Sequence, residues 1–319
     1  MPSKRIVYMN GKFIPEIEAK ISIFDSSLMF GDMVYEMTRS FNKKQFKLRD
    51  HLERLYAGIK ILHIPVKMTI DEMERACYDT IEKNEPFFKK TDEHRLMIDV
   101  SRGPLGIYHY TVFDWKVQPT VIISDVELKW TVAHLDLFDC GINAVVPNQR
   151  SIPAHLLEPK MKNRSRINLV MADNEVANWK GDNNWALLVD PDGFISEGTG
   201  DNFFMVKDGI VYTSEPRNIL RGISRKYIFE ICNQLGIKCI EKNIEMYDVY
   251  TADEAFMTAT PFCILPVTRF MGLEIGDAKM GKITKKLLDT WGKNVGVDIP
   301  KQIKDCAREV AELTKRKTN

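Results

Sequence analysis

The chain has 319 residues, 44% of them hydrophobic, enough to bury one large core or two moderate ones, and two domains are the expectation. Forty-five Lys plus Arg against 44 Asp plus Glu leave a formal charge of +1, so no net field draws a polyanion and a nucleic-acid partner is not expected. Six cysteines without CxxC spacing and six histidines without an HxxxH pair give no disulfide framework and no zinc pattern, and no apolar run approaches the roughly twenty residues of a membrane span.

The opening MPSKRIVYMNGKF lacks the apolar centre of a secretory signal, so a cytosolic protein with reduced thiols is expected. Within it, KRIVYMNGKFI reads as two short strands around an Asn-Gly turn. From MVYEMTRSF through KQFKLRDHLERLYAGIKILHI the pattern runs strand, turn, strand and then a helix starting near Asp50, with Leu52, Leu55, Ile59 and Leu62 at helical spacing. A second helix follows at TIDEMERACYDTIEKN, and HRLMIDVSRG and PTVIISDVEL read as strands. Residues 1–125 are therefore expected to form an N-terminal α/β domain, with 126–138 as a connection and 139–319 as a second domain.

The second domain begins with the strand GINAVVP and continues into EPKMKNRSR, where Lys160, Lys162, Arg164 and Arg166 occupy alternate positions. Strand geometry would set these four cations on one face, where mutual repulsion disfavours protonation of any buried lysine and makes it a nucleophile. A solvated basic stretch is the plainer alternative. Ser165 is the expected cap of the helix RINLVMADNEVANWKG. NWALLVDPDGFISEGTGDNFFMVKDGIVYT then reads as a β-meander with Asp-Gly turns.

In LRGISR, Gly222 permits a close backbone turn, and the amides of Ile223 and Ser224 with the Ser224 hydroxyl would be free to donate to a phosphate; an ordinary helix start fits equally. Gly236 ends that helix, and KCIEKNI and EAFMTAT read as strands. FMTATPFCILPV places Thr258 and Thr260 at a strand end before Pro261, and Glu197 lies in the turn after DGFIS. From Lys279 the tail is charged, helical in pattern and expected to be peripheral. Dinucleotide and triphosphate sites are not indicated, since EGTGDNF has two of the three glycines of GxGxxG and leads into a strand, and no GxxxxGK[ST] occurs.

Taken in order, FGDMVYEMTRSF, HLERL, Lys162 with its helix, ISEGTGDNFFMVKDG, LRGISR and MTATPFCILPV resemble the class IV (fold type IV) pyridoxal-phosphate enzymes, from about residue 7 to about residue 272. That group includes branched-chain amino acid aminotransferases, D-amino acid aminotransferases, (R)-selective amine transaminases and aminodeoxychorismate lyase. The resemblance implies an α/β (α+β) fold of two domains, a smaller N-terminal one and a larger C-terminal one that binds pyridoxal 5′-phosphate. It implies that Lys162 forms the Schiff base with this cofactor; the ten-residue step from Lys162 to Ala172 suits the family's lysine better than Lys160 does.

By the same resemblance, Glu197 keeps the pyridine nitrogen protonated, and Arg54 binds the phosphate together with Ile223, Ser224 and Thr260. On the substrate side it implies Tyr35, Arg39, Arg102, Tyr108, His109 and Ala259. The subfamily features are mixed: Tyr35 falls on a tyrosine of the D-amino acid enzymes and Arg39 on an arginine of the branched-chain enzymes. His109 is kept while Ile107 stands where the D-amino acid enzymes have arginine, and Arg166 replaces a branched-chain tyrosine as in the lyase. The expected activity is transamination between an amino acid, branched-chain or glutamate, and a 2-oxo acid, in at least a homodimer, with no nucleic acid and no membrane. A D-amino acid or (R)-amine transaminase, or a lyase, is the alternative.

Overall fold

The computed structural model describes residues 4–106 and 118–318. The chain forms two compact units: one runs up to Leu128 and takes in Met161–Arg166, and the other holds Lys129–Lys160 and the chain from Ile167 onward.

In the first unit, β1 (Ile6–Met9) and β2 (Lys12–Pro15) pair with Met9 opposite Lys12, leaving Asn10 and Gly11 as the turn at φ 49° and 85°. Two positive φ values match the turn to the twist of its strands, and asparagine and glycine adopt them at least cost. With β3 (Met33–Phe41), β4 (Lys44–Gln45), β5 (His94–Ser101) and β6 (Thr120–Glu127) they make a six-stranded sheet among the described residues, in the order β2-β1-β6-β5-β3-β4. The helix Leu48–Ile61 buries Leu52, Leu55 and Ile59 as predicted, while Leu62 is its half-buried C-cap. The helix Ile70–Asn84 starts in a capping box: Thr69 accepts from the Glu72 amide, and Glu72 accepts from the Thr69 amide.

The domain boundary drawn from the sequence differs in two ways. The first unit extends to Leu128 with 129–138 counted in the second, and Met161–Arg166 leave the second unit for the first. The cause is an edge that needs covering. β4 pairs only with the Ser40–Phe41 end of β3, so the other half of β3 would expose unpaired backbone groups. The Tyr35 amide instead donates to the Lys162 carbonyl at 2.9 Å, the Arg164 amide donates to the Met33 carbonyl at 3.0 Å, and Val34 bridges Asn163.

The second unit is built on β7 (Ile142–Val145), β8 (Asn184–Val189), β9 (Ile195–Gly198), β10 (Asn202–Lys207), β11 (Ile210–Ser214), β12 (Cys239–Lys242), β13 (Glu254–Ala259), β14 (Cys263–Phe270) and β15 (Leu273–Glu274). The sheet runs β12-β11-β10-β13-β14-β7-β8-β9, with β15 on β14. The meander is present, and its β10–β11 turn is again Asp-Gly with both φ positive. β9 also pairs with β10 at Glu197 and Asn202, so β10, β13, β14, β7, β8 and β9 close into a ring.

Two helices differ from expectation. The helix after the cationic stretch begins at Ile167, two residues later than the expected cap, and the Ser165 hydroxyl donates to the Gly31 carbonyl at 3.2 Å. The tail is not peripheral. Its helix Lys282–Val295 buries Leu287, Leu288 and Trp291, and the Trp291 ring meets Tyr227 edge-on at 4.8 Å. Glu254 of β13 receives the first amides of that helix, from Ile283 at 2.9 Å and Thr284 at 2.7 Å. Among the described residues, no helix is long and apolar enough to cross a membrane.

Candidate active site

In the first unit, candidate side chains lie on and around β3. Tyr35 is buried, the Lys162 amine lies 4.8 Å from its ring centre, and the Arg164 guanidinium stacks over the ring at 3.7 Å. Arg166 donates to the Tyr35 hydroxyl at 2.5 Å, and Arg164 also forks onto Asp99 at 2.7 and 3.0 Å. Burial raises the Tyr35 pKa, but Lys162, Arg166 and Arg164 outweigh it and hold the phenol below its ordinary 10. The four cations therefore do not share one face. Lys160 sits in the other unit, held by Glu158 at 2.9 Å and the Arg217 carbonyl at 2.8 Å.

Alternation along β3 turns Glu36 to the opposite face from Tyr35, toward the helix Leu48–Ile61. There its two oxygens take Arg54 Nε at 2.6 Å and Arg54 Nη2 at 2.8 Å, and His51 Nδ1 lies 2.7 Å from Glu36 Oε2. Glu36 is fully buried, which raises a carboxyl pKa, yet Arg54 and His51 bring it down to about 2. Burial holds His51 below its usual value against the pull of Glu36. The Arg54 guanidinium is thus held in a fixed position by Glu36.

Arg39 is buried in β3 with its guanidinium 4.0 Å above the Phe41 ring. Arg102 donates to Asp32 at 2.7 and 3.3 Å, to the Leu62 carbonyl at 2.7 Å and to the His63 carbonyl at 3.1 Å. That set of bonds makes it a clamp between β5 and the end of the helix Leu48–Ile61. Tyr108 and His109 lie outside the described residues.

In the second unit Glu197 stands where the strand ring closes. Its carboxylate accepts from the Leu220 amide at 3.0 Å and from Asn202 Nδ2 at 2.9 Å, and Asn202 also donates to the Leu220 carbonyl at 2.9 Å. The loop through Leu220 leads to the helix Ile223–Leu235, whose N-cap, Gly222, offers no side-chain cap. Gly222 has an ordinary backbone conformation, and what demands glycine is space, since a Cβ there would lie 2.1 Å from Asn202 Oδ1. The uncapped first turn with buried Ser224 is suited to an anion. Ala259 ends β13 opposite Cys263, half-buried Thr260 follows it, and the Thr258 hydroxyl donates to the Cys263 carbonyl. Among the described residues, no cluster of His, Cys, Asp or Glu could hold a metal ion.

The sequence pattern of the family Amino-transferase class IV matches residues 33–270. This chain belongs to the class IV aminotransferases. The branched-chain-amino-acid aminotransferase of Salmonella typhimurium is 30% identical over 289 residues, 88% of this chain and 90% of that one. The crystal structure of the T.th. branched-chain amino acid aminotransferase complexed with N-(5′-phosphopyridoxyl)-L-glutamate is similar at TM-score 0.80 and 25% identity, covering 92% of this chain and 95% of the other. The branched-chain aminotransferase of Thermoproteus uzoniensis with norvaline matches at TM-score 0.79 and 28% identity, with the same coverage.

In this class IV aminotransferase the sequence reading had not singled out Glu36, His51, Asn202 or Asp99. Part of that was available in HLER, where His51 and Arg54 are three apart and share a helix face. Nothing local marks Asn202, whose bond to Glu197 rests on the ring closure.

Proposed function

We propose that this transaminase uses Lys162 as its reactive amine, Glu197 as the acid that keeps the cofactor's ring nitrogen protonated, and Arg54 with Ile223, Ser224 and Thr260 as the phosphate site. The cofactor is pyridoxal 5′-phosphate, and the residues present fit it. The uncapped turn after Gly222 and a guanidinium preset by Glu36 suit a phosphate, and a carboxylate held by Leu220 and Asn202 suits a protonated ring nitrogen. When bound, pyridoxal phosphate supplies an electron-accepting ring that acidifies the α-hydrogen of an amino acid.

The chain's own residues then do the rest. The Lys162 amine takes the proton from the substrate α-carbon, acting as the general base. Tyr35, with Arg164 stacked on it and Arg166 on its hydroxyl, braces that lysine. Arg39, Ala259, Tyr108 and His109 complete the proposed substrate side. Arg102, already engaged with Asp32 and two carbonyls, serves to hold the loop base. The substrates are read as a branched-chain L-amino acid or glutamate with a 2-oxo acid, on the names of the relatives. The reading includes a cytosolic homodimer, in keeping with exposed apolar groups that need cover: Ile17, Ile23, Leu28 and Phe30 in one unit, Ile167 and Met171 in the other.

The observation that carries this reading is the bond from the Tyr35 amide to the Lys162 carbonyl, which fixes Lys162 to β3 with its amine beside the Tyr35 ring. Borohydride reduction of the holoenzyme followed by peptide mapping tests it. The expected label is on Lys162, and a label on another lysine, or none, overturns the assignment. A donor screen with both enantiomers of leucine, valine and glutamate at one 2-oxo acid tests the substrate class; turnover confined to the D-forms rejects it.

A further inference from the structure

Three cations of EPKMKNRSR come to one ring. Lys162, Arg164 and Arg166 alternate along the ribbon that covers β3, and each reaches Tyr35: the Lys162 amine lies 4.8 Å from the ring centre, the Arg164 guanidinium 3.7 Å from it, and Arg166 Nη1 2.5 Å from the hydroxyl oxygen. The ribbon itself is held in place. Its Arg164 amide is tied to the Met33 carbonyl, the Arg166 amide donates to the Arg164 carbonyl at 2.9 Å, and the Ser165 amide donates to Asn163 Oδ1 at 2.9 Å.

The two arginines differ in what they meet. Arg164 is matched by a carboxylate, since its Nε and Nη2 both donate to Asp99 Oδ1, and so serves as a strut. Arg166 meets a hydroxyl. A guanidinium can only donate, so the Tyr35 oxygen accepts in that bond and the phenol's own proton is left to donate elsewhere. Guanidinium N–H and phenol O–H thus converge at one point, in the surroundings of the Lys162 amine. Charge points the same way. Three cations around a buried phenol outnumber the Asp99 carboxylate that joins them, and this surplus holds the phenol below its ordinary 10 against the effect of burial.

Converging donors with a surplus of positive charge fit a carboxylate. In an α-amino acid the carboxylate is attached to the carbon from which Lys162 takes its proton, so the group that binds it must stand beside that lysine. We propose that Arg166, seated on the Tyr35 hydroxyl, binds the α-carboxylate of the amino-acid substrate, with the phenol proton as the second donor. This rests on the Lys162 reading and adds to it the group that selects an amino acid over a simple amine.

The probes are 4-methylpentanoate, which keeps a carboxylate on an apolar branch, and its neutral amide, each titrated into the holoenzyme by calorimetry. The wild-type enzyme should bind the acid about a hundredfold more tightly than the amide, the scale of two charge-assisted hydrogen bonds. In Arg166→Gln the acid should weaken by about ten- to a hundredfold while the amide moves by less than about threefold, and KM for amino-acid donors should rise with the Kd of the acid. Arg166→Lys, which keeps the charge without the planar fork, should recover part of the loss. A wild-type enzyme with no preference for the acid, an unchanged acid affinity in Arg166→Gln, or equal weakening of acid and amide, the mark of a structural role alone, would overturn the proposal. The borohydride label keeps the two assignments apart. A label away from Lys162 rejects the lysine, whereas equal weakening of acid and amide with the label in place on Lys162 rejects Arg166 alone.

Discussion

Glu36 closes both carboxylate oxygens on Arg54, at 2.6 Å to Nε and 2.8 Å to Nη2, with its side chain fully buried. A carboxyl whose folded pKa is about 2 against an ordinary 4.5 contributes stability that is complete above pH 4.5 and is lost as pH falls toward 2. Glu36→Gln should lower the unfolding free energy at neutral pH by about 3 kcal/mol, since it leaves the part-buried Arg54 guanidinium without its carboxylate. It should also flatten the loss between pH 4.5 and 2, as measured by urea denaturation. An unaltered acid limb would show that some other carboxyl carries it.

Two lysines of the cationic stretch should behave oppositely. Lys162→Ala is expected to reduce transamination by at least about 10³-fold, the scale of a lost general base. Lys160→Ala removes only a bond to Glu158 and one to a carbonyl, and should leave kcat within about twofold, as a part-exposed ion pair contributes little. Steady-state kinetics of the two variants decide the assignment.

Gly222→Ala would press a methyl group onto Asn202, which holds Glu197. Overpacking of this kind costs about 1–3 kcal/mol, so cofactor affinity should fall roughly ten- to hundredfold. Fluorescence titration of the apoenzyme with pyridoxal phosphate reads this directly; unchanged affinity would separate the glycine from the site.

For Glu197→Gln the cofactor should remain bound while kcat drops by about 10²-fold or more, the scale of a lost preorganised charge. Absorbance spectra and kcat on the same sample distinguish the two effects. A near-normal kcat would remove the role given to this acid.

Trp291→Ala should destabilise the protein by about 3–5 kcal/mol, the cost of emptying a large buried aromatic site. Thermal unfolding measures it. A shift near zero would return the tail to the periphery where the sequence had put it.

Short-range chemistry was the legible part. The Asn10-Gly11 and Asp208-Gly209 turns, the stripe through Leu52, Leu55 and Ile59, and the glycine stop at 236 each depend on residues a few positions apart. Longer-range partnership was not. Lys162 pairs with Tyr35 across 127 positions, and the closure of the ring at Glu197 and Asn202 depends on every strand between having found its register. The tail misled because its sequence is charged throughout, while the buried stripe of Leu287, Leu288 and Trp291 covers a single face.

The crossing of Met161–Arg166 onto β3 also sets an order for synthesis. A growing chain that has emerged only as far as Leu128 carries the upper half of β3 with no neighbour on one side, a row of bare amides and carbonyls open to the wrong strand. The first unit becomes self-contained only after nearly forty more residues have left the ribosome, so any attempt to express it as a fragment should include a graft of that six-residue ribbon.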